Sequence, residues 1–320
     1  MRQAVNILML GGAKRVSIAR MLKSAGRKLG LDVSLFSYEL DREVPVAVEA
    51  SVIVGRRWSD PMLMADLHDV VETNNIDIVL PFVDKAVEIA ARLCKAESGC
   101  WTPGSDPEKA ALLFDKVDSD SVFRNAGFPV PADASSLSPE QTVIAKPRCG
   151  SASPGIRVLD HHSYLALMSS GEADQYICQE YVSPREEITV DCFVASSGEI
   201  ICAVPRRRIA VAGGEVTDTV TIADSDIEAL SHNILRTLAL RGPVTIQFLR
   251  RKNPDGTLGE PLLMEINPRL GGGAVCAVHA GADIPYFILA DWLHKPLEPC
   301  SSWKSGVRIA RYMQEVVFNE

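Results

Sequence analysis

The stretch LLMEINPRLGGG, Leu262 to Gly273, interrupts an apolar run with a carboxylate and an amide, then adds an arginine and three glycines. In an extended strand, alternate side chains share a face, so Glu265 and Asn267 point the same way. Just upstream, GPVTIQFLRR (Gly242 to Arg251) and GEPLLMEINP (Gly259 to Pro268) read as two strands, and the KNPDGTL between them has the turn chemistry of a hairpin. On that hairpin Gln247 can fall opposite Glu265 and Asn267. One carboxylate and two amide oxygens then share a small volume. Hard oxygen donors of this kind suit Mg²⁺, which takes one or two carboxylates and leaves its other positions to phosphates and water. Arg269 follows closely and offers a fork for phosphate or carboxylate. Read without its neighbours, the same stretch is equally a hairpin end with solvated polar groups.

Two further stretches bear on that choice. In VIAKPRCGSASPGIRV, Lys146 closes an apolar strand and precedes a run of small residues, whose backbone N–H groups can close over phosphates. The lysine comes before the loop, so this is not the GxxxxGK[ST] arrangement. In YICQEYVSPREEITVD, the pair Gln179 and Glu180 is embedded in apolar sequence, and Glu186 and Glu187 lie beyond a Ser-Pro turn. Such a segment can line an adenine slot. Glu180 would accept from the exocyclic amine, the backbone at Tyr181 and Val182 would meet the ring edge, and a later carboxylate would hold the ribose. A surface turn with a lysine beside it, and a strand pair with solvated acids, are the plain alternatives.

Toward the N-terminus the pattern changes. VNILMLGG, DVSLFSYEL, ASVIVG and IDIVLPF read as strands alternating with helical segments at residues 15–29 and 62–75, which implies a parallel sheet covered on both faces. The first turn, GGAKRVSIA, lacks the GxGxxG spacing that lets backbone approach a pyrophosphate, which argues against a nicotinamide enzyme. WTPGSDPEKAALLFDK starts a helix at Asp106-Pro107, so a junction is expected near residue 105. Beyond it, short β runs predict antiparallel sheet, and SGVRIARYMQEVVF reads as a closing strand. The chain has 320 residues, enough for two or three units. Its net charge of −8 argues against nucleic acid as a partner. No apolar run is long enough for a membrane helix and the first residues do not resemble a signal peptide. Eight cysteines without CxxC spacing predict buried thiols in a reduced, cytoplasmic protein, and six histidines without metal-site spacing predict no zinc.

Lys116, Lys146 with its loop, Glu180 to Glu187, Gln247, Glu265 and Asn267 occur in one order along the chain. In that order the sequence resembles the ATP-grasp superfamily, in particular carbamoyl-phosphate synthase large-subunit-like proteins and amino-acid ligases. MEINPR carries the resemblance most specifically, followed by IAKPRCGSASPG and QEYVSPREEITVD, while LLFDKVDSDSVFRNAGFPVP is similar to the family's helix with its first nucleotide lysine. The resemblance implies a mixed α/β and α+β architecture. Residues 1–105 would form a Rossmann-like pre-ATP-grasp domain and residues 106–320 a two-lobed ATP-grasp fold, with a small lobe at about 115–185 and a large lobe at about 186–320.

It also implies site roles. Lys116 and Lys146 would contact the α- and β-phosphates of ATP under a flap from Gly150 to Gly155 that includes Ser151. Glu180, Tyr181 and Val182 would read adenine, Glu187 would hold ribose, and Gln247, Glu265 and Asn267 would hold magnesium. Arg269 would stabilise the transferred phosphoryl group or the substrate carboxylate, and one arginine of the run Arg206, Arg207, Arg208, with Arg206 put forward, would face the phosphates. Many relatives carry an acid where this chain has Gln247, which lowers the negative charge of the metal site. The implied activity is an ATP- and Mg-dependent ligation that activates a small carboxylate as an acyl phosphate for attack by an amine. The alternative is a nucleotide-binding subunit of a split carbamoyl-phosphate synthase-like complex. Expected partners are the carboxylate and amine substrates, with a second copy of the chain or a partner subunit. Acceptor specificity is expected from Gly271 to Gly281 and from Pro81 to Asp84.

Overall fold

The computed structural model describes residues 3–96, 99–150 and 155–318. Its first sheet is parallel and four-stranded. β1 (Gln3–Leu10) lies between β2 (Leu31–Glu39) and β4 (Ile78–Pro81), with β3 (Ser51–Val54) outside β2. Helix α1 (Val16–Leu29) joins β1 to β2, α2 (Leu63–Thr73) precedes β4, and α3 (Asp84–Ala96) follows it. Ile7, Leu8, Met9 and Leu10 expose no surface. A central parallel strand is covered on both faces, so its sequence is continuously apolar instead of alternating.

Helices α4 (Pro107–Phe114) and α5 (Lys116–Asn125) lead into the rest of the chain. Acidic side chains start both: Asp106 accepts from the Lys109 N–H at 2.9 Å, and Asp115 from the Val117 N–H at 3.0 Å. A second sheet is antiparallel, in the order β6–β5–β7, from β5 (Val143–Pro147), β6 (Arg157–Leu159) and β7 (Tyr176–Glu180), with α6 (His161–Met168) between the last two. The third sheet has six antiparallel strands: β8 (Arg185–Val194), β9 (Ile200–Ala212), β10 (Glu215–Thr221), β11 (Gly242–Lys252), β12 (Leu258–Asn267) and β13 (Arg308–Ala310), ordered β12–β11–β8–β9–β10–β13. Helix α7 (Ser225–Thr237) links β10 to β11, and α8 (Val275–Ala280) and α9 (Ile284–Trp292) follow β12.

One apolar core joins the first sheet to the third. It contains Val5, Ile18 and Leu22 from the N-terminal strand and helix, Phe193 and Val204 from the large sheet, and Ile288 and Leu289 from α9. Each such side chain contributes roughly 1.5–3 kcal/mol when fully buried. A second cluster, including Phe123, Ile188, Ile234 and Phe248, fills the space between the large sheet and α5 and α7. The three-stranded sheet has only a small cluster of its own, built on Ala134, Val143 and Tyr164.

The closing strand expected over residues 305–318 is confined to Arg308–Ala310. It pairs with Asp218 to Val220 at the edge of the large sheet. Beyond it, Tyr312 and Met313 are 82% and 95% exposed, so this apolar run is not a buried strand. Of the eight cysteines, Cys100, Cys192, Cys202 and Cys276 are buried and Cys149 is exposed, so the expectation of buried thiols holds for only half of them. No helix among the described residues is long and apolar enough to cross a membrane.

Candidate active site

The hairpin expected from the sequence is β11–β12, with Gln247 opposite Glu265 and Thr245 opposite Asn267. All four side chains line a cleft of about 570 Å³ that opens between the three sheets. Asn267 is buried, and its Nδ2 donates to Glu265 Oε1 at 2.7 Å, which fixes the amide beside the carboxylate. Gln247 stands in the same face, but its Oε1 accepts from Arg208 Nη1 at 3.1 Å. Glu265 and Asn267 are therefore the hard oxygen pair that fits a magnesium ion, whereas Gln247 would have to release an arginine first. No group of three His, Cys, Asp or Glu able to hold a metal is present among the described residues.

Lys146 reaches the cleft from β5 on the second sheet. It is buried, and its Nζ donates to Gln179 Oε1 at 3.0 Å, while Gln179 Nε2 donates to Asp120 Oδ1 at 2.7 Å. Burial lowers its pKa to about 8, with Glu265 acting in the opposite direction and Lys116 adding to the fall. Lysine with a depressed folded pKa binds fewer protons in the fold than in the open chain between that value and its ordinary 10.5. Stability contributed at this site is thus lowest below pH 8 and recovers as pH rises toward 10.5. In Lys146→Met the penalty is absent, so we expect the variant's stability advantage over the parent to shrink as pH rises. Urea unfolding of both proteins between pH 7 and about 10 checks this; an advantage independent of pH refutes it.

Lys116 opens α5, and its Nζ donates to the Gly150 carbonyl at 2.7 Å. Both residues line the cleft, as do Ile144, Ile156, Ile177 and Met264, which give this end an apolar wall. Gly155 is described but does not line the cleft. Ser151, and the flap residues up to Pro154, lie outside the described residues.

The arginine run divides by strand alternation. Arg206 and Arg208 line the cleft, and Arg207 is exposed on the other face. The expectation of one arginine at the site is corrected to two. Arg206 is 3% exposed and pairs with Asp191, Nε to Oδ2 at 2.7 Å. Its Nη1 is buried without a hydrogen-bond partner among the described residues. Arg208 is pushed below its ordinary pKa by burial, against the pull of Glu187, 3.4 Å from its Nη1. Glu187 itself lines the cleft and also accepts from Arg185 Nε at 3.0 Å.

Besides Gly155, three expected site residues, Glu180, Tyr181 and Val182, are not brought to the cleft. Glu180 is paired with Arg251, which holds its carboxylate away. The Tyr181 N–H donates to the Thr142 carbonyl at 2.9 Å, and the Val182 carbonyl accepts from Arg185 Nη1 at 3.2 Å. Sequence reading could not foresee these captures, because each depends on a residue from another strand or loop.

Arg269 lines the cleft, and its Nε donates to Asp84 Oδ1 at 2.6 Å, at the start of α3. This ties the residue just ahead of one segment expected to set acceptor specificity, Gly271 to Gly281, to the end of the other, Pro81 to Asp84. Residues absent from the sequence reading also meet here. Arg15, on the turn after β1, donates from Nη1 to Glu215 Oε1 at 3.2 Å, and Arg311 donates from Nη1 to Glu215 Oε2 at 2.7 Å. A usable signal existed for Arg15, since open α/β sheets place ligands beyond the carboxyl ends of their strands. For Asp191 the signal was an acid inside ITVDCFV, which requires a buried partner.

Glycine is required here by close approach. A Cβ on Gly272 would lie 2.8 Å from Arg15 Nη1, and one on Gly273 would lie 2.5 Å from Arg206 Nη2. Guanidinium groups pack directly on the backbone of Gly272 and Gly273, while a Cβ on Gly271 would lie 2.7 Å from Thr245 Oγ1.

Residues 172–315 match the family model described as ATP-grasp in the biosynthetic pathway with Ter operon. Among solved structures, the fold is similar to the biotin carboxylase domain of Hydrogenobacter thermophilus 2-oxoglutarate carboxylase, bound to MgADP, ADP and bicarbonate (TM-score 0.71, 16% identity, 91% of this chain and 70% of that one). It is similar to biotin carboxylase from Campylobacter jejuni in its beta-gamma-ATP complex (TM-score 0.73, 19% identity, 95% and 74%). It is also similar to N5-carboxyaminoimidazole synthetase from Staphylococcus aureus with ADP (TM-score 0.71, 14% identity, 93% and 79%). A comparison with curated proteins returned no significant match. The resemblance of the sequence to the ATP-grasp superfamily is borne out, and the fold is the ATP-grasp fold.

Proposed function

We propose that this chain, with its ATP-grasp fold, is an ATP- and magnesium-dependent ligase that activates a small carboxylate for attack by an amine. The observation that carries this reading is the meeting of Lys116 and Lys146 from one side with Glu265, Asn267, Arg206 and Arg269 from the other, all lining one cleft.

Each group has work that suits it. Lys116 and Lys146 would neutralise phosphate oxygens of the nucleotide, with the isoleucines and Met264 against its base. Glu265 and Asn267 would hold a magnesium ion, whose contribution is to offset charge on the β- and γ-phosphates. Arg206, held in place by Asp191, would stabilise the equatorial oxygens of the phosphoryl group in transfer, and Arg269 would meet the acceptor's acid. A carboxylate oxygen of the acceptor attacks the γ-phosphorus, the bond to the β-phosphate oxygen breaks, and ADP leaves with the electron pair. The amine then attacks the acyl carbon, inorganic phosphate leaves, and the amine's extra proton passes to solvent. Transfer of this type depends on positioning and charge neutralisation, so it needs no nucleophilic side chain.

Titration calorimetry with magnesium and ADP, followed by ADP-release assays with pools of amino acids, simple acids, bicarbonate and ammonia, tests the reading. We expect nucleotide binding that requires magnesium, and ADP release that requires both an acid and an amine. Nucleotide binding with no ADP release from any pool would favour a subunit without its own turnover. Absence of nucleotide binding would end both readings.

A further inference from the structure

The cleft carries two separate groups of charge. At one, Lys146 Nζ donates to Gln179 Oε1, and Gln179 Nε2 donates to Asp120 Oδ1. At the other, Arg15 and Arg311 pair with Glu215, and Arg269 pairs with Asp84. Among the described residues these two sets share no hydrogen-bond or ion-pair partner. A carboxylate that reacts with the γ-phosphoryl group must lie at the first, beside Glu265 and Asn267. The second is then free for something else.

This second group is assembled from distant parts of the chain: Arg15 from the turn after β1, Arg269 from the loop after β12, and Arg311 from just beyond β13. Three guanidinium groups face two carboxylates, Asp84 and Glu215, which leaves one positive charge in excess. Arg15 exposes only 14% of its side chain, and its Nε is buried without a partner among the described residues. Burial works against ionisation of Glu215, yet Arg15 and Arg311 hold its carboxyl below the ordinary range. The two arginines thus already grip one carboxylate, Arg15 Nη1 donating to both oxygens and Arg311 Nη1 to Oε2. Arg311 also donates to the Gly272 carbonyl, which ties the cluster to the loop beside Arg206.

We propose that Arg15, Arg269 and Arg311 form a second anion subsite, which holds an acidic group of the acceptor other than the carboxylate that reacts. This rests on the ligase reading above and narrows it: the acceptor is a small acid with at least two anionic groups. The second group is a carboxylate or a phosphate, both of which match guanidinium forks.

The test is binding to the full chain saturated with magnesium and ADP, measured by calorimetry. Succinate and glutamate form one arm, 3-phosphoglycerate a second, and acetate, alanine and bicarbonate the monoanionic control. We expect at least one of the two dianionic arms to bind about 10²-fold more tightly than the controls, the stronger arm naming the second group. Arg311→Ala removes a partly exposed side chain at the sheet edge and should weaken that binding about tenfold or more, as should Arg15→Lys, with nucleotide affinity unchanged. Equal binding of dianionic and monoanionic acids, or none by either dianionic arm, overturns the subsite while leaving the ligase reading in place. Loss of nucleotide affinity in Arg311→Ala also overturns it, because the cluster would then be holding ATP phosphates. Failure of the parent protein to bind nucleotide defeats the ligase reading itself and is seen before any acid is added.

Discussion

Glu265→Ala is expected to lower substrate-dependent ADP release about 10³-fold at saturating nucleotide and acceptor, with the fold intact. The size of the effect follows from two losses at once. The carboxylate is the only anionic member of the hairpin's oxygen set, since Asn267 and Gln247 are neutral and Gln247 is already engaged by Arg208. It is also the strongest charge that supports ionisation of buried Lys146. Without it, the lysine titrates lower and delivers less charge to the phosphates at neutral pH. Glu265 is half-buried and bonds only along its own strand to Asn267, so its removal need not disturb the core. Steady-state assays across a range of magnesium concentrations, with circular dichroism as the folding control, measure the effect. A rate within tenfold of the parent at saturating magnesium would mean that the ion is held elsewhere.

Arg206→Ala is expected to cost about 3–5 kcal/mol of stability as well as activity. The guanidinium and Asp191 are 3% and 1% exposed, and removing one partner strands the other charge in the interior. Globular proteins have only about 5–15 kcal/mol in total, so the variant should unfold at markedly lower denaturant. Pairing the change with Asp191→Asn should recover much of the stability and none of the activity, because the buried charge is gone but so is the cation. Urea titrations of parent, single and double variants separate the two roles. A single variant destabilised by less than about 1 kcal/mol would show that Asp191 is solvated after the change.

The hairpin could be read from the sequence because strand alternation and an NPDG turn are local rules. Its register could not: Gln247 comes to face Glu265 only through two register shifts, between Arg250 and Lys252 and between Gln247 and Phe248. The first parallel sheet was legible for a similar reason, in uninterrupted apolar runs separated by helical spacing. What was not legible depended on which distant charge captured which. Nothing near Glu180 in the sequence announces Arg251, and nothing in GGAKRVSIA announces Glu215. The arginine run is intermediate. Alternation implied that neighbours in the run face opposite ways without saying which face is inward, and counting one inward residue where the strand offers two, Arg206 and Arg208, halved the cationic side of the site. The closing strand stops at Ala310 although its partner continues to Glu215, and the structure gives no local reason for that end.

The apolar core shared by the first and third sheets has a mechanical consequence. The N-terminal unit and the six-stranded platform are locked into one anvil, and Glu265, Arg206 and Arg15 are mounted on it. The three-stranded plate that bears Lys146 has only its own small cluster, so it can swing while giving up little buried surface. If the cleft narrows, the plate with Lys146 is therefore the part expected to move toward Glu265, with the segments leading into Val143 and out of Glu180 as its expected hinge.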